Sequence, residues 1–391
     1  MLNMLVGYSF WGFLGDIKYN KDFEKISTPD GNAFYSWSII KAFQSLGMNV
    51  KTIFPDRDKF GYEKLGIKLF SSWGEGARHG AYSNSLHVDY DNIDFSHCTY
   101  DDIKKVFDKS FVFECSFILH EWRMKIIGRN DYDSRQNENW QPDLFLQDCL
   151  IRYCNENSIP MILFDLDYKL LDEDVERIKK CAVIELGDKW NRKNKVLSKR
   201  VNIPFCFDII NEFRLKKSYQ NNLVYVGNRY ERDWCIDKYI PLNSDKIKIY
   251  GNWNEGNRNS KEKWPLINFC NRLQTSEMKS VYSNSATTIL LAKEEYCKEH
   301  FMTARIIEAI FYGCLPLFIE EYGDETISYY AGDFNEILKV KNSNEVKLKS
   351  DFFAENSDLR NRIIIYLRNR LKIMDAMQFA CKIIELYFKI Y

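Results

Sequence analysis

Short apolar runs alternate with amphipathic stretches along most of the chain. The runs at residues 4–10, 49–54 and 160–164 have the length and composition of buried strands, and residues 33–46 carry apolar side chains at helical spacing. Strands that alternate with helices predict a parallel sheet that is covered by helices on both faces. The pattern therefore predicts an α/β fold.

The same alternation returns after a break at residues 202–212, where Pro204 and a change of pattern indicate a domain boundary. Further strands are predicted at 222–226, 246–250, 287–291 and 315–319. We therefore expect two Rossmann-like domains, residues 1–215 and 216–372, that face a central cleft. The amphipathic helix at 373–391 is expected to cross back onto the first domain.

A short helix is predicted at residues 303–311, and Gly313 is placed to cap its C-terminus. Arg305 and Glu308 are three residues apart, so they share one face near the start of this helix. An arginine and a helix N-terminus both favour a phosphate, while a carboxylate suits the hydroxyls of a ribose. The alternative is an ion pair on a solvated helix face, but the helix is otherwise apolar. The segment therefore predicts a diphosphate site.

A glycine directly follows the strand predicted at 222–226. Because Gly227 has no side chain, the backbone there can approach a phosphate closely, and Arg229 or Arg232 can then bind it. An ordinary turn at the end of a strand is the alternative interpretation.

Two carboxylates stand at the exit of the strand predicted at 160–164. Asp165 and Asp167 point to the same side of the chain, and carboxylates at the end of a buried strand are costly unless they are solvated, paired or used. We interpret one of them as a candidate general base. A cap for the helix predicted at 172–180 would look similar.

Ligands bind at the carboxyl ends of the strands in a doubly wound sheet. The glycine-rich turn after the first strand and the loop before the first helix are therefore expected to line the cleft, with Gly12, Asp30, Gly31 and Asn32 as candidate residues. Helix capping alone is the alternative for the loop. A basic run that includes Arg123 follows a strand predicted at 111–117, and it could hold an anionic acceptor such as a nucleic-acid backbone or form a solvated loop.

Composition limits the class of protein. The chain has 391 residues, enough for two domains, and its 55 basic and 55 acidic residues create no overall field that would attract nucleic acid. Its 11 cysteines form no C-x-x-C pair and have mostly apolar neighbours, which favours reduced core thiols over a disulfide or zinc framework. No apolar run approaches the length of a membrane span. We expect a cytoplasmic protein, a monomer or homodimer, without a membrane partner.

Several motifs of the second half recur together in one enzyme family. They are the strand and turn at residues 225–232, Tyr250-Gly251-Asn252, Lys263-Trp264-Pro265, the segment 300–308 and Glu320-Glu321. In order and spacing they resemble the nucleotide-sugar domain of GT-B glycosyltransferases, most closely the phage DNA β-glucosyltransferases. The first domain matches less closely, through its helix entry before Phe34 and the pattern at 163–167.

This resemblance implies a UDP-sugar donor and a hydroxyl acceptor. It implies that Arg305 and Arg232 bind the diphosphate, that Glu308 binds the ribose, and that Gly227 and Asn228 lie against the phosphates. The other residues predicted at the donor site are Arg229, Gly251, Asn252 and Thr303. An Asp would take the proton from the acceptor hydroxyl. No fixed metal is required if the arginines carry the charge of the leaving group, although a loosely bound Mg²⁺ or Mn²⁺ is compatible.

The resemblance favours 5-hydroxymethylcytosine in phage DNA as the acceptor, in the host cytoplasm if a phage encodes the protein. A bacterial GT-B enzyme of cell-surface or spore-coat polysaccharide is a second hypothesis, which the neutral net charge favours. A third is a protein that binds a nucleotide sugar without catalysis. The identity of the sugar stays open among glucose, arabinose and others.

Overall fold

The computed structural model describes residues 5–9, 39, 42–53, 97–109, 115–122, 142–165, 170, 174–186, 198–201, 215–371 except 243, 255–258, 274, 299 and 304, and 376–391. The chain forms two compact units. One combines the first sheet with the C-terminal helix, and the other contains the second sheet.

In the described residues, the sheet of the first unit has parallel strands only. They are β1 (Leu5–Ser9), β2 (Asn49–Ile53), β3 (Phe117–Glu121), β4 (Met161–Asp165), β5 (Ala182–Leu186) and β6 (Ser198–Val201), in the order β2-β1-β3-β4-β5-β6. The helices are α1 (Tyr100–Lys109), α2 (Pro142–Glu156), α3 (Val175–Ile178) and the C-terminal helix (Ala376–Ile390).

The second unit is a doubly wound parallel sheet. Its strands are β7 (Asn221–Val226), β8 (Ile247–Tyr250), β9 (Phe269–Cys270), β10 (Ser285–Leu290), β11 (Leu315–Ile319) and β12 (Lys339–Val340). Its helices are α4 (Asp233–Tyr239), α5 (Ser260–Lys263), α6 (Thr275–Ser283), α7 (Glu294–Lys298), α8 (Arg305–Phe311), α9 (Asp324–Ala331), α10 (Asn335–Leu338), α11 (Ser343–Glu355) and α12 (Ser357–Leu371), with 3₁₀ turns at Glu320–Tyr322 and Gly332–Phe334. The order β12-β11-β10-β7-β8-β9 is that of dinucleotide-binding folds, and it reverses between β7 and β10.

The first sheet is covered by the far end of the chain. All side chains of β3 and β4 are buried, as expected for strands with helices on both faces. The ring of Phe117 packs on Phe43 and on Tyr387 of the C-terminal helix, with centroid distances of 6.1 and 5.2 Å. The Tyr391 hydroxyl donates to the Met161 carbonyl at 3.1 Å. The amphipathic C-terminal helix therefore completes the core of the first unit.

Helix α12 fixes the C-terminal ends of other helices in the second unit. Arg360 donates to the Phe353 carbonyl of α11 at 2.7 Å, and Arg368 donates to the Phe311 carbonyl of α8 at 3.4 Å. Arg370 bonds the last turn of α9 in the same way. Cations at these positions bind carbonyls that have no partner within their own helix.

The predicted parallel α/β arrangement is confirmed, and β11 has the predicted bounds. The prediction of a strand ending at 117 was wrong, because β3 begins at Phe117 and includes the buried polar residues His120 and Glu121. Helix α8 begins at Arg305, since the Thr303 carbonyl accepts the Ile306 amide at 3.3 Å in a tight turn before it. Within the described residues, no helix combines the length and apolar character needed to cross a membrane.

Candidate functional site

The candidate site lies at the carboxyl edge of the second sheet, where the strand order reverses between β7 and β10. Open α/β sheets bind their ligands at this position, because the loops that leave the two strands diverge there. Strand β7 ends at Val226, and Gly227 follows it. Most of the residues predicted to bind the donor lie on this edge or on the loops beside it.

Hydrogen bonds join the loop after β7 to the loop after β8. The Gly227 amide donates to the Tyr250 carbonyl at 2.9 Å, and the Trp253 indole donates to the Gly227 carbonyl at 2.8 Å. The Asn252 amide donates to the side chain of Asn228 at 3.3 Å. The two loops are thus held as one unit, which presents the backbone of Gly227 in a fixed position.

Gly227 and Gly251 both lie where neighbouring atoms leave no room for a side chain. Gly251 has a φ of +143°, and a Cβ on it would collide with the Gly227 carbonyl. A Cβ on Gly227 would lie 2.6 Å from Nε and 2.7 Å from Nη2 of Arg305, and 2.5 Å from the Tyr225 hydroxyl. The missing side chain of Gly227 therefore leaves a space that the polar atoms of Arg305 and Tyr225 already occupy.

Arg305 reaches this space from the first turn of α8. Its Nε donates to the Val226 carbonyl at the end of β7, and its Nη1 donates to the Thr303 hydroxyl at 3.2 Å. No carboxylate lies within ion-pair distance of it in the part of the chain that the structure describes. Because α8 has only seven residues, the guanidinium rather than the helix terminus supplies the positive charge here.

Arg232 is a second cation of the same kind. Its side chain is 5% exposed, and Nη1 donates to the carbonyls of Tyr230 and Asn228 at 2.8 and 3.4 Å. Its Nε is buried without a hydrogen-bond partner, and the described residues offer it no carboxylate within ion-pair distance. A buried charge without a counter-ion is costly, so this position favours a bound anion.

Arg229, from the same turn, is bonded in a different way. Its Nε and Nη2 donate to both carboxylate oxygens of Asp233 at 2.7 and 2.6 Å, and Nη1 donates to the Ser260 hydroxyl at 3.2 Å. The guanidinium also lies over the Trp264 ring. To bind a phosphate, Arg229 would have to break its two hydrogen bonds to Asp233. Its role in donor binding therefore stays a prediction. The Arg-x-x-x-Asp spacing could have indicated the pair.

Glu308 lies one turn along α8 from Arg305 and is partly exposed. Burial raises the pKa of its carboxyl from 4.5 to about 7, against the opposing effects of Arg305 and the Tyr282 hydroxyl. A carboxyl of this kind can accept a hydrogen bond from a ligand hydroxyl when ionised and donate one when protonated.

Several buried tyrosines at this edge were not predicted. The hydroxyls of Tyr225, Tyr282 and Tyr322 are buried and make no hydrogen bond of normal geometry to the described residues. Each lies near enough to Arg305 for an electrostatic interaction. They come from β7, α6 and the turn after β11, so only the folded sheet brings them together.

The carboxyl edge of the first sheet holds a different set of polar residues. Asp165 ends β4, is fully buried, and accepts the Leu170 amide at 2.9 Å. His120, near the end of the neighbouring β3, is also buried, and its Nε2 lies 2.8 Å from Oε1 of Gln147. Burial lowers the pKa of His120 to about 4, so the imidazole is neutral at pH 7.

The remaining predicted residues lie outside the described residues. They are Gly12, Asp30, Gly31, Asn32, Arg123 and Asp167. Among the residues that the structure does describe, no group of three or more His, Cys, Asp or Glu side chains is arranged to hold a metal ion.

Glycosyltransferases are the class of solved structures that share this fold across nearly the whole chain. T4 phage β-glucosyltransferase is 13% identical, with 99% of both chains covered and a TM-score of 0.57. An α-glucosyltransferase solved with UDP and a 13-mer DNA containing an HMU base is 14% identical, with 99% of both chains covered and a TM-score of 0.54. A Thermobaculum terrenum O-GlcNAc transferase is 8% identical, with 99% of this chain and 67% of that chain covered and a TM-score of 0.52.

The phage β-glucosyltransferase has also been solved in complex with UDP and Mn²⁺. No protein-family model and no curated protein matches the sequence. At these identities the similarity establishes the fold, and the chemistry has to be argued from the residues of this chain.

Proposed function

We propose that this protein is a UDP-sugar-dependent glycosyltransferase whose acceptor is 5-hydroxymethylcytosine in DNA. The proposal depends mainly on the buried Arg232 and the partly exposed Arg305, two cations near Gly227 with no carboxylate partner among the described residues. A diphosphate supplies the negative charge and the hydrogen-bond acceptors that these groups lack. The fold shared with UDP-dependent glucosyltransferases supports the same choice of ligand.

Each proposed residue has a separate role in the transfer of the sugar. Arg232 and Arg305 would stabilise the charge that develops on UDP as its bond to the anomeric carbon breaks. Glu308 would bind the ribose hydroxyls. Asp165 or Asp167 would accept the proton of the acceptor hydroxyl as that oxygen bonds to the anomeric carbon. The chain's own cations carry the charge of the leaving group in this scheme, so it needs no resident metal.

The DNA acceptor rests on the motifs shared with phage DNA glucosyltransferases and on their structural similarity to this chain. A polysaccharide acceptor is the second candidate, because equal numbers of acidic and basic residues, 55 of each, create no general attraction for DNA. The proposed function therefore needs an assay that compares both kinds of acceptor.

The test is transfer of labelled sugar from a panel of UDP-sugars to matched DNA duplexes and to glycans. One duplex carries 5-hydroxymethylcytosine and its control carries cytosine at the same positions. We expect label only on the hydroxymethylated duplex. Label on glycans alone would show that the acceptor is a glycan and not DNA. If the protein binds none of the UDP-sugars, the proposal as a whole is contradicted.

A protein that binds nucleotide sugars without catalysis would behave differently. It would bind UDP-sugar, and the double substitution Asp165→Ala with Asp167→Ala would leave every assayed activity unchanged. The proposed transferase would lose its turnover in that variant while keeping its affinity for UDP.

A further inference from the structure

Two buried tyrosine hydroxyls at the carboxyl edge of the second sheet have no hydrogen-bond partner among the described residues. Tyr225 and Tyr322 are both 0% exposed. An unsatisfied buried hydroxyl costs about 1–3 kcal/mol, so two in one place require an explanation. A ligand that accepts hydrogen bonds from these hydroxyls would provide one.

Tyr225 is the residue before the last of β7, and its hydroxyl turns toward Gly227. The position of a Cβ on Gly227 lies 2.5 Å from this hydroxyl and within 2.7 Å of Nε and Nη2 of Arg305. A hydroxyl and a guanidinium are therefore both packed against the backbone of Gly227. Arginine offers only donors, and the described residues provide the Tyr225 hydroxyl with no acceptor.

Tyr322 ends the 3₁₀ turn that follows β11, and this turn is anchored to α4. Lys238 forms ion pairs with Glu320 at 3.0 Å and with Glu321 at 2.6 Å. The Tyr239 hydroxyl donates to Glu321 as well. The two carboxylates that precede Tyr322 in the chain thus bind residues of α4, and neither of them accepts a hydrogen bond from the Tyr322 hydroxyl.

The Tyr322 hydroxyl is buried and interacts electrostatically with both Arg232 and Arg305. Burial raises its pKa well above the ordinary value, against the opposing charges of Arg232 and Arg305. The group therefore stays protonated and keeps a proton to donate. Its charged neighbours are donors too, which again leaves the acceptor to come from a ligand.

We propose that the hydroxyls of Tyr225 and Tyr322 are ligands of the diphosphate, together with Arg232 and Arg305. This inference rests on the proposed function, and it assigns two further residues to the donor site. The oxygens of a diphosphate accept several hydrogen bonds at once, and their charge strengthens each of them.

Arg305 determines access to these hydroxyls. In the free protein its guanidinium is folded onto the Val226 carbonyl and lies 5.6 Å from the centre of the Tyr225 ring. A phosphate oxygen is a stronger acceptor than a carbonyl, so the guanidinium turns to the ligand and uncovers the hydroxyls.

The test compares Tyr225→Phe and Tyr322→Phe with the wild-type protein by calorimetric titration with UDP. Each substitution removes one oxygen and keeps the ring, so the fold is retained. We expect UDP to bind roughly tenfold more weakly to each variant, the loss expected for one hydrogen bond to a charged group. The melting temperature of the free protein should stay the same or rise, because the lost hydroxyl had no partner.

Tyr153→Phe is the matched control, because this buried tyrosine of the first unit donates to Asp108 at 2.9 Å. It should lower the melting temperature and leave UDP binding unchanged. Inorganic pyrophosphate provides a second probe, and it should displace UDP from the wild type and bind more weakly to both site variants.

Each other outcome has a definite meaning. If the wild type binds UDP and both site variants bind it within about twofold of the wild type, the inference is wrong and the proposed function stands. If the site variants melt at lower temperature, the hydroxyls have a structural role and the inference is also wrong. If the wild type binds no UDP, the proposed function fails together with it.

Discussion

The carboxyl edges of the two sheets have the same place in the topology but opposite chemistry. The edge of the first sheet holds the carboxyl side chains of Asp165 and Glu121 beside the neutral His120. The edge of the second holds Arg232 and Arg305 with tyrosine hydroxyls that make no hydrogen bond to the described residues. The fold thus determines where a ligand binds, and the residue types determine what each edge can do to it.

The largest expected effect tests the first edge. If Asp165 or Asp167 is the general base, replacing that residue with Asn should lower the rate of transfer by about 10²–10⁴-fold. The affinity for UDP should be unchanged in both variants, because neither residue is proposed to bind the donor. Measuring the transfer rate and the affinity for UDP of both variants identifies which Asp is the base. If both variants are fully active, neither Asp165 nor Asp167 is the general base.

The second prediction separates two arginines of one turn. Arg232→Met should weaken UDP binding by about tenfold or more, because a charged contact is lost. The free protein should lose little stability, since the removed charge is buried and no carboxylate of the described residues lies within ion-pair distance of it. Calorimetry with UDP and thermal melting of the same samples measure both quantities.

Arg229→Met is the matched comparison for that prediction. This substitution removes the ion pair between Arg229 and Asp233. Because the ion pair is partly exposed, its loss should cost about 1 kcal/mol or less of stability. UDP binding should change less than in Arg232→Met. If Arg229→Met shows the larger loss of affinity, the assignment of the two arginines has to be reversed.

The third prediction uses the raised pKa of Glu308. Between pH 4.5 and about pH 7 the folded protein holds a proton on this carboxyl that the unfolded chain has released. The free energy of unfolding should therefore fall as the pH rises through that window, by up to about 3 kcal/mol. Urea unfolding at several pH values measures the slope, and Glu308→Gln should remove this part of it. An unchanged slope in the variant would show that Glu308 titrates normally.

The smallest effect is expected from metal removal. Because the proposed site uses arginines for the diphosphate, EDTA should change the affinity for UDP by less than about twofold. A titration of the wild type with and without EDTA checks this. A large loss that Mg²⁺ or Mn²⁺ restores would show that a cation is part of the donor site.

Much of the fold could be predicted from the sequence, because local signals specify it. Strand-length apolar runs and a glycine after β7 placed the second sheet and its carboxyl edge. The spacing of Arg305 and Glu308 likewise placed both on one face of α8. These features depend only on residues that are close together in the chain.

The features of the site that were not predicted depend on contacts between segments that are distant in the chain. Tyr225 and Tyr322 meet Arg305 through the order of β7, β10 and β11, which no local pattern specifies. In the same way, His120 looked like part of a polar run because a buried polar residue in a strand does not differ in sequence from an exposed one in a loop. Burial and partner choice are tertiary properties.

The measurement that tests the central claim most directly is calorimetric titration of UDP into the wild type and into Arg305→Ala. Wild-type protein should bind one UDP per chain, and the variant, still folded by thermal melting, should bind it at least tenfold more weakly. Equal affinities in the two proteins would contradict the claim that the arginines at the edge of the second sheet hold the diphosphate.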